Sequence, residues 1–434
     1  MKRRDFIAAG SAVAAASYRR VMGANDRIHV GIIGAGIQGS LVWDQFLKQP
    51  NVSGVAVCDV YAPHVESAVA KTNGEARGYK DFRKLLEQKG VDAVIVATPE
   101  HWHALPAVMA CQSDKDVYVE KPLALTIREG RLILDAARKY DRVVQVGSMQ
   151  RSGAHYGRAV ELIRNGRIGD VRHISAGSLR NTMPGFTKTP DEPVPAGLDW
   201  DMYLGPAPYK PFNRLRWTYH WRWFWDYSGG QMTNLGAHNL DIARWAMNVR
   251  IPAAVAGFGG RYSLEDGGET PDVQEVIFQF PKLVMTWSVR EMNGATGGSE
   301  LEFHGTKGTL RISRSGFKII PEEWGKPVAG RDTTVRRELK AEALSDPGSE
   351  KEFPQQVEVH VRNFLDCMRS RKRPHADVEE GYLTNLMCHM GNISMKLGRS
   401  VRWDEDKEEI PGDPEASRMC SRPYRKPWEL MEKV

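Results

Sequence analysis

A glycine-rich turn close to the N-terminus constrains the fold of this chain more than any other feature. The turn reads Gly34-Ala35-Gly36-Ile37-Gln38-Gly39; a β-branched apolar run, residues 28–33, precedes it, and helical apolar spacing follows at residues 40–47. In such a turn the first glycine permits the tight bend, the second lets the backbone approach a pyrophosphate, and the third lets the helix pack on the strand. Backbone N–H groups at the start of the helix then face the phosphates. The pattern predicts a dinucleotide-binding turn formed by Gly34, Gly36, Ile37, Gln38 and Gly39.

An acidic residue at the end of the second apolar run narrows the choice of dinucleotide. Asp59 follows residues 52–57 and lies 20 residues beyond Gly39. A carboxylate at this position accepts hydrogen bonds from a ribose diol and repels a 2′-phosphate. Neither Val60 nor Tyr61 offers a cation that could receive such a phosphate. NAD is therefore the expected cofactor, in preference to NADP.

Three further apolar runs continue the alternation of strand and helix. They comprise residues 92–97, 116–119 and 143–146, with helical stretches between them. Strands that alternate with helices form a parallel sheet that is covered on both faces. We therefore predict a Rossmann domain over residues 25–150.

The pattern changes after residue 150. Later runs alternate apolar and polar residues and are separated by Gly or Pro turns; they comprise residues 253–262, 273–280, 283–289, 299–304 and 308–312. Such alternation is typical of an antiparallel sheet. We predict a second α/β domain over residues 151–375, with a charged surface excursion at residues 322–351. Residues 376–434 are expected to form a helix and a tail that pack back on the body.

Length and composition set the class of protein. The chain has 434 residues, enough for two domains, and its 41% apolar and 26% charged content is typical of a globular protein. A net charge of +6 on 60 basic and 54 acidic residues does not indicate a nucleic-acid-binding surface. No run of about eighteen apolar residues is present that could span a membrane. Five cysteines without a C-x-x-C pair predict buried thiols, with neither a disulfide framework nor a metal site.

The first residues resemble an export signal. Lys2, Arg3 and Arg4 precede a mildly apolar, alanine-rich stretch, residues 8–17. Paired arginines here are similar to a twin-arginine signal, a route that moves proteins already folded around their cofactor. Residues 1–24 are therefore expected to direct the protein to the periplasm or outside the cell, with the segment either removed or kept as an anchor. The alternative is an ordinary basic, frayed N-terminus.

One lysine lies at the carboxyl end of a predicted strand, where ligands collect in open α/β sheets. It belongs to the sequence Glu120-Lys121-Pro122, in which the proline stiffens the backbone. An ammonium that is partly desolvated and close to the positive charge of a nicotinamide has a lowered pKa, and it can donate or relay a proton to a substrate hydroxyl. Taken alone, Lys121 could equally be an ordinary surface lysine.

Four motifs together resemble the Gfo/Idh/MocA oxidoreductase family. They are the glycine turn, Thr98-Pro99 with His101 and His103 behind it, Glu120-Lys121-Pro122, and the stretch from Gly229-Gly230 to His238. The resemblance implies an α/β fold: an N-terminal Rossmann NAD(P)-binding domain followed by an α/β domain with an open, mostly antiparallel sheet, which could also form a homo-oligomer interface. It implies NAD(P)-dependent chemistry on sugars, inositols and their derivatives. It also makes Lys121 the catalytic lysine and assigns to the nicotinamide half of the cofactor Thr98, Pro99, His103 and Glu120.

A second family motif usually reads Asp-x-Gly-x-His and here reads Asn234-Leu235-Gly236-Ala237-His238. In the family the histidine acts as an acid or base beside the lysine. The histidine is present, but Asn234 replaces the aspartate, and an amide can hydrogen-bond but cannot ionise. The candidate catalytic residues are therefore Lys121, His238 and Asn234. Asp241, one helical turn beyond His238, either orients the imidazole or is an exposed or capping carboxylate.

Aromatic residues are crowded just before Gly229. They are Trp217, Tyr219, His220, Trp221, Trp223, Phe224, Trp225 and Tyr227. Flat apolar rings suit the C–H faces of a sugar, and at most two or three of them could line one site; a purely structural cluster is the alternative. Arg151 could meet either a substrate oxygen or a carboxylate at the domain interface.

These features support three functions. The first is NAD-dependent oxidation of a hydroxyl of a sugar, polyol or sugar derivative by hydride transfer, with Lys121 and His238 handling the proton. The second is an NAD-dependent glycosidase that works by oxidation, elimination, hydration and reduction, with the cofactor recycled. The third, suggested by Asn234, is an NAD-binding protein that has lost its chemistry. Because free NAD is scarce outside the cytoplasm, we expect the protein to hold its cofactor tightly. The expected partner is a small sugar-like substrate, and no nucleic-acid partner is expected.

Overall fold

The structure is a computed structural model that describes residues 27–294, 301–322, 342–347 and 353–434. The predicted export signal, residues 1–24, lies outside these described residues. Within the described ranges no helix combines the length and the apolar character needed to cross a bilayer. All five cysteines are buried and free, as the sequence predicts.

The first part of the chain folds into a six-stranded parallel sheet. Its strands are β1 (Ile28–Ile33), β2 (Val52–Cys58), β3 (Arg77–Tyr79), β4 (Ala93–Val96), β5 (Asp116–Val119) and β6 (Val144–Val146). Their order across the sheet is β3-β2-β1-β4-β5-β6, and every pairing is parallel. The strand order reverses between β1 and β4, and in this architecture ligands bind in the crevice at the carboxyl ends of those two strands. The predicted Rossmann fold is confirmed, although the sequence predicted five strands and missed β3, a three-residue strand at the sheet edge.

Helices cover both faces of this sheet. They are α1 (Ile37–Leu47), α2 (Ala62–Ala70), α3 (Phe82–Leu86), α4 (Ala104–Gln112) and α5 (Ile127–Lys139). Because both faces are covered, successive residues of the central strands are buried whichever way they point, as Val94, Ile95 and Val96 illustrate. This accounts for the continuous apolar runs in the sequence.

The second sheet has eight strands. They are β7 (Val171–Leu179), β8 (Ala254–Gly260), β9 (Val273–Phe280), β10 (Leu283–Arg290), β11 (Leu301–Gly305), β12 (Gly308–Ser313), β13 (Gly316–Pro321) and β14 (Leu344–Pro347). Their order is β14-β13-β12-β11-β7-β10-β9-β8, and all pairings except β7 with β10 are antiparallel. The predicted mostly antiparallel sheet is confirmed. The sequence did not predict β13 or β14, and β14 lies within the expected surface excursion, where it pairs with β13 at the sheet edge.

One face of the second sheet is covered and the other is open. The helices of this part are α6 (Ala154–Arg164), α7 (Trp200–Leu204), α8 (Gln231–Asn234), α9 (Gly236–Met247), α10 (Phe353–Ser370), α11 (Val378–Leu397) and α12 (Pro414–Arg418). Helices α6, α9 and α11 contact the sheet. Along β9, Val276 and Phe278 on the covered face are fully buried, whereas Ile277 between them is 50% exposed. The alternation seen in the sequence is the consequence of this one-sided covering.

The C-terminal part of the chain returns to the first domain. Helix α10 packs on α1, and the rings of Phe364 and Phe46 meet edge to face with 6.0 Å between their centres. In the tail, Nε of Arg422 donates to the fully buried Glu129 of α5 at 2.8 Å. These contacts join the C-terminal part of the chain to the domain that carries the crevice.

Candidate active site

The glycine-rich turn connects β1 to α1 at the crevice. Gly34 has φ +90°, and a Cβ there would lie 2.8 Å from the backbone nitrogen of Thr98. A Cβ on Gly39 would lie 2.0 Å from the carbonyl oxygen of Gly34. Gly36 differs, because a Cβ there would meet only Cε1 of His64, at 3.8 Å. The fold itself requires the first and third glycines, whereas the second keeps space open for a ligand.

The start of α1 offers backbone donors to that space. No side chain caps the helix after Gly36, so the N–H groups of Ile37 and Gln38 have no partner within the helix. These donors and the positive end of the helix dipole favour an anionic group. Ile37 is apolar and yet 77% exposed. The open space at Gly36 and the free donors together fit the pyrophosphate of a dinucleotide.

The crevice opens into a cavity of about 370 Å³. Its walls include almost all residues predicted to bind the cofactor: Gly34, Gly36, Ile37, Gln38, Asp59, Thr98, Pro99, His103, Glu120 and Lys121. Gly39 does not line the cavity, because it packs against Gly34. Asn234 lines the cavity and His238 does not. Over the described part of the chain, no group of three or more His, Cys, Asp or Glu side chains is arranged to hold a metal ion.

Asp59 fastens the glycine turn to the end of β2. Its Oδ2 accepts a hydrogen bond from the N–H of Ala35 at 2.7 Å, and its Oδ1 accepts one from the N–H of Tyr61 at 2.9 Å. Nδ1 of His64 lies 3.4 Å from Oδ1, and its hydrogen bond with Asp59 raises the pKa of His64 against the effect of burial. Lys80 also lines the cavity. Neither basic side chain directly follows Asp59 in the sequence, so His64 and Lys80 were not predicted at this site.

His103 holds together the segments that follow β4 and β5. Its Nδ1 lies 2.8 Å from the carbonyl oxygen of Pro122, and its Nε2 lies 2.8 Å from the carbonyl oxygen of Thr98. Burial lowers the pKa of His103, and a neutral ring donates to one of these oxygens at a time. The side chain therefore positions Thr98 and Pro99 beside Lys121 rather than directing a free nitrogen at a ligand.

Glu120 is buried beneath the glycine turn. Its Oε1 accepts from Nε2 of Gln38 at 3.1 Å, and its Oε2 accepts from the N–H of Lys121 at 3.2 Å. A Cβ at Gly147 would lie 2.8 Å from this carboxylate, so the glycine makes room for it. Burial raises the pKa of Glu120, and the charge of Lys121 opposes the shift. Glu120 thus ties α1 to the end of β5.

Lys121 reaches from the end of β5 to the second domain. Its Nζ donates to Oδ1 of Asn234 at 3.0 Å and to the backbone oxygen of the same residue at 3.1 Å. Burial lowers the pKa of the Lys121 ammonium to about 8; the charge of Glu120 opposes this shift and the charge of Arg222 adds to it. A lysine with this pKa is partly neutral near neutral pH, so its nitrogen can accept a proton.

A buried carboxylate that sequence analysis did not identify also lines the cavity. Glu100 is 2% exposed, and it accepts hydrogen bonds from the hydroxyls of Ser228 at 2.6 Å and Thr233 at 3.1 Å. Burial raises the pKa of Glu100 to about 7, opposed by these hydrogen bonds and by the charge of Lys121. Ser228 lies 128 residues further along the chain, so no local pattern reveals the pairing. The only signal was its position directly after the Thr-Pro motif.

The aromatic cluster divides between the cavity and the interior. The rings that line the cavity are Trp217, Tyr219 and Trp221. The rings buried elsewhere include Trp223, Phe224 and Tyr227. Arg222 also lines the cavity, with its guanidinium 4.5 and 4.9 Å from the ring centres of Trp221 and Tyr219. The sequence therefore indicated the rings but not the cation held between them.

His238 lies in the first turn of α9. It is 3% exposed, and its Nδ1 has no hydrogen-bond partner among the described residues. Burial lowers the pKa of His238 well below its usual value, and the charges of Lys121 and Arg314 add to the shift. The imidazole is therefore neutral at neutral pH and close enough to Lys121 to feel its charge.

Arg151 and Asp241 form a buried ion pair, which decides two alternatives left open by the sequence. Nε and Nη2 of Arg151 donate to Asp241 at 2.7 and 2.9 Å, and Nη2 also reaches Glu380 at 3.0 Å. Arg151 thus meets interface carboxylates. The hypothesis that Asp241 orients the imidazole of His238 is wrong, because its oxygens accept from Arg151 and Thr384 instead. The alternative of an exposed or capping carboxylate is wrong too, because Asp241 is 2% exposed and lies within α9.

Two family models match the chain. Residues 28–148 match the Gfo/Idh/MocA model described as an oxidoreductase family with an NAD-binding Rossmann fold. Residues 172–252 and 327–430 match the model of the same family's C-terminal alpha/beta domain. The first match contains all six strands of the first sheet. The second contains most of β7, the edge strand β14 and the helices α7 to α12, and it leaves residues 253–326 unmatched.

The similar proteins include both dehydrogenases and glycosyl hydrolases. An inositol 2-dehydrogenase from Salmonella typhimurium is 36% identical over 173 residues, which are 38% of this chain and 49% of the relative. A glycosyl hydrolase family 109 protein from Stenotrophomonas maltophilia is 29% identical over 237 residues, 50% of each chain. The chain thus spans about half the length of these curated relatives. The solved scyllo-inositol dehydrogenase from Lactobacillus casei with NAD(H) and scyllo-inositol has a TM-score of 0.62 at 18% identity, over 87% of this chain and 99% of that one.

Proposed function

Since this chain belongs to the Gfo/Idh/MocA family of NAD-binding oxidoreductases, we propose that it oxidises a hydroxyl-bearing carbon of a sugar, polyol or sugar derivative. One observation carries the proposal. The amine of Lys121 lies in the wall of the dinucleotide cavity, is held by Asn234, and has a pKa lowered to about 8. The inositol dehydrogenases among the similar proteins favour a ring polyol as the substrate class.

The proposed chemistry assigns a role to each wall of the cavity. Bound NAD supplies a two-electron acceptor for the hydride that leaves the substrate carbon. The neutral amine of Lys121 takes the hydroxyl proton on its lone pair as the carbon–oxygen double bond forms, so the substrate loses one hydride and one proton. His238 does not line the cavity and its imidazole is neutral, so the substrate proton is assigned to Lys121 alone. The Gly36 space and the donors of α1 hold the pyrophosphate.

The aromatic wall suits the substrate side of the cavity. Tyr219 and Trp221 present ring faces that can pack on the apolar C–H face of a sugar or inositol. Arg222, stacked on both rings, offers donors to ring hydroxyls without losing its support. The aromatic rings would hold the face of the substrate ring, and Arg222 would hold the hydroxyls at its edge. Oxidation of one particular carbon requires such a fixed orientation.

An NAD-dependent glycosidase is the second candidate, favoured by the relative in glycosyl hydrolase family 109. In that reaction the same oxidation is followed by loss of the glycosidic leaving group, addition of water and return of the hydride, so the net change is hydrolysis. The oxidation needs the same base, and Lys121 therefore serves both candidates.

The two candidates differ in what accumulates. The NAD-loaded full-length protein would be mixed with inositols, free sugars and aryl glycosides, and both NADH absorbance and released aryl alcohol would be followed. A dehydrogenase builds up NADH, whereas a glycosidase releases the alcohol without net NADH. Turnover that survives unchanged in Lys121→Met would remove Lys121 from both mechanisms, and the absence of any turnover would favour a protein that only binds NAD.

Export and a tightly held cofactor belong to the same proposal. The support for export is the Lys2-Arg3-Arg4 start, and a resident NAD would free the protein from scarce external cofactor. Replacing Arg3 and Arg4 by lysine is expected to keep the protein in the cytoplasm, whereas the same change at Arg19 and Arg20 is the matched control. Nucleotide released on denaturing protein purified from the periplasm should be NAD.

A further inference from the structure

The contact between Lys121 and Asn234 depends on which end of an amide faces the lysine. The two ends of the Asn234 amide are nearly the same in shape, but only the oxygen accepts a hydrogen bond. The NH₂ end is a donor and cannot pair with an ammonium. An asparagine in place of the usual aspartate therefore works as an acceptor only if something holds its oxygen towards Lys121.

A chain of hydrogen bonds leads from that amide to a buried carboxylate. Nδ2 of Asn234 donates to Oε1 of Gln231 at 3.2 Å, and Nε2 of Gln231 donates to Oε1 of Glu291 at 2.9 Å. Gln231 is 2% exposed and Glu291 is fully buried. Both amides thus donate in the same direction, away from Lys121.

Glu291 sets this direction because donors surround it. It lies directly after β10, where its Oε1 also accepts from Nη2 of Arg180 at 2.9 Å and its Oε2 accepts from Nε1 of Trp223 at 2.8 Å. Guanidinium and indole groups can only donate, so Glu291 serves as the acceptor at the end of the chain. Gln231 must then turn its NH₂ towards Glu291 and its oxygen towards Asn234.

We propose that Glu291 is a positioning residue which, through Gln231, fixes the Asn234 amide with its oxygen towards Lys121. The inference rests on the proposed function, in which Lys121 handles the substrate proton. It accounts for the missing aspartate, since a carboxylate has two equivalent oxygens and needs no orientation, whereas an amide does. Asn234, Gln231 and Glu291 together thus present to Lys121 the acceptor oxygen that a single aspartate would present alone.

Other charges around Lys121 do not depend on this chain. The carboxylates of Glu120 and Glu100 and the guanidiniums of Arg222 and Arg314 act on its ammonium by direct electrostatic interaction. A variant that breaks the chain at Gln231 leaves all of them and Glu291 in position. Gln231→Met is therefore the variant that tests orientation alone.

The test measures the titration of Lys121 itself. The NAD-loaded full-length protein would be labelled with a trace of acetic anhydride across a pH series, and mass spectrometry would give the labelled fraction of Lys121 at each pH. In Gln231→Met the freed amide can turn its NH₂ towards the neutral amine, so the midpoint is expected to fall by about half a pH unit or more. The matched control Trp223→Phe removes a different hydrogen bond to Glu291 and should leave the midpoint unchanged.

The decisive comparison repeats Gln231→Met in an Asn234→Asp background. A carboxylate at position 234 does not need orienting, so Gln231→Met is expected to cause no further shift there. An equal shift in both backgrounds, or none in the Asn234 background, would overturn the proposal. If Gln231→Met fails to fold, Glu291→Gln is the second variant, and the shift that it causes in the labelling midpoint of Lys121 should also vanish in the Asn234→Asp background. A shift that persists there would come from the lost charge of Glu291 and would contradict the positioning role.

This measurement needs no turnover, so it separates the two proposals. The proposed function would be rejected and the positioning role kept by two results together. The labelling midpoint of Lys121 would shift as expected in Gln231→Met, and Lys121→Met would remain fully active. If Lys121→Met loses its activity and Gln231→Met leaves the labelling midpoint unchanged, the proposed function is kept and the positioning role is rejected.

Discussion

Nζ of Lys121 donates to the side-chain oxygen of Asn234 across 3.0 Å, so an uncharged amide holds this ammonium where the family usually has a carboxylate. Asn234→Asp adds a negative charge at that distance and is expected to raise the pKa of Lys121 by about one unit or more. Because the neutral amine is the base, the acidic limb of the kcat/KM profile should move to higher pH. Asn248→Asp, the same change at the far end of α9, is the control. An unmoved limb would argue against Lys121 as the base.

Removing Glu100 should move the same limb in the opposite direction. The charge of Glu100 raises the pKa of Lys121, and Glu100 itself has a pKa of about 7. Glu100→Gln keeps the shape and acceptor oxygen of the side chain but not its charge, so the limb is expected at lower pH than in the wild type, with the difference largest above pH 7. Glu87→Gln, on the exposed end of α3, should leave the profile unchanged.

Loss of the Lys121 amine should abolish turnover without emptying the cofactor site. Lys121→Met keeps most of the side-chain volume, and removal of a general base typically lowers kcat by about 10² to 10⁴. NAD affinity, measured by calorimetry, is expected to stay within about threefold of the wild type. Lys115→Met is the matched buried lysine: it bonds the carbonyl oxygens of Gln88 and Val91 and should retain activity despite lower stability.

The glycines of the turn should separate cofactor binding from folding. At Gly36 a Cβ meets only His64 at 3.8 Å, whereas at Gly39 it would lie 2.0 Å from the oxygen of Gly34. Gly36→Ala is therefore expected to keep the melting temperature of the free protein and to weaken NAD binding by about tenfold or more, which corresponds to about 1.4 kcal/mol. Gly39→Ala should lower the melting temperature itself. Equal melting losses in both variants would mean that the Gly36 space serves the fold and not a ligand.

The sequence predicted five of the six strands of the first sheet because their signals are local, and it missed the short edge strand β3. A buried parallel strand needs a continuous apolar run. The turn after β1 needs a glycine at Gly34, where φ is +90°, and at Gly39, where a Cβ would lie 2.0 Å from the carbonyl oxygen of Gly34. The strands β13 and β14 were missed for the converse reason: β14 is a four-residue edge strand whose pairing with β13 no local pattern marks.

In the site, the sequence indicated residues whose role follows from a motif and missed those defined by distant contacts. Lys121 and Asn234 stand in recognisable motifs, and the structure brings them together. Glu291 carries no local signal and Glu100 only its place after Thr98-Pro99, because each becomes a buried acceptor only when donors from remote segments surround it. The same holds for Asp241. Its spacing in the sequence suggested His238 as its partner, but Arg151, 90 residues away, donates to both of its oxygens.

The most direct measurement follows one deuterium atom. Inositols and sugars deuterated at their ring carbons would be incubated with the NAD-loaded full-length protein, and the nicotinamide would be analysed by mass spectrometry. We expect at least one compound to transfer a deuterium to the cofactor in the wild type and not in Lys121→Met. Turnover of any of these compounds without deuterium in the nicotinamide, or equal transfer in Lys121→Met, would contradict this expectation.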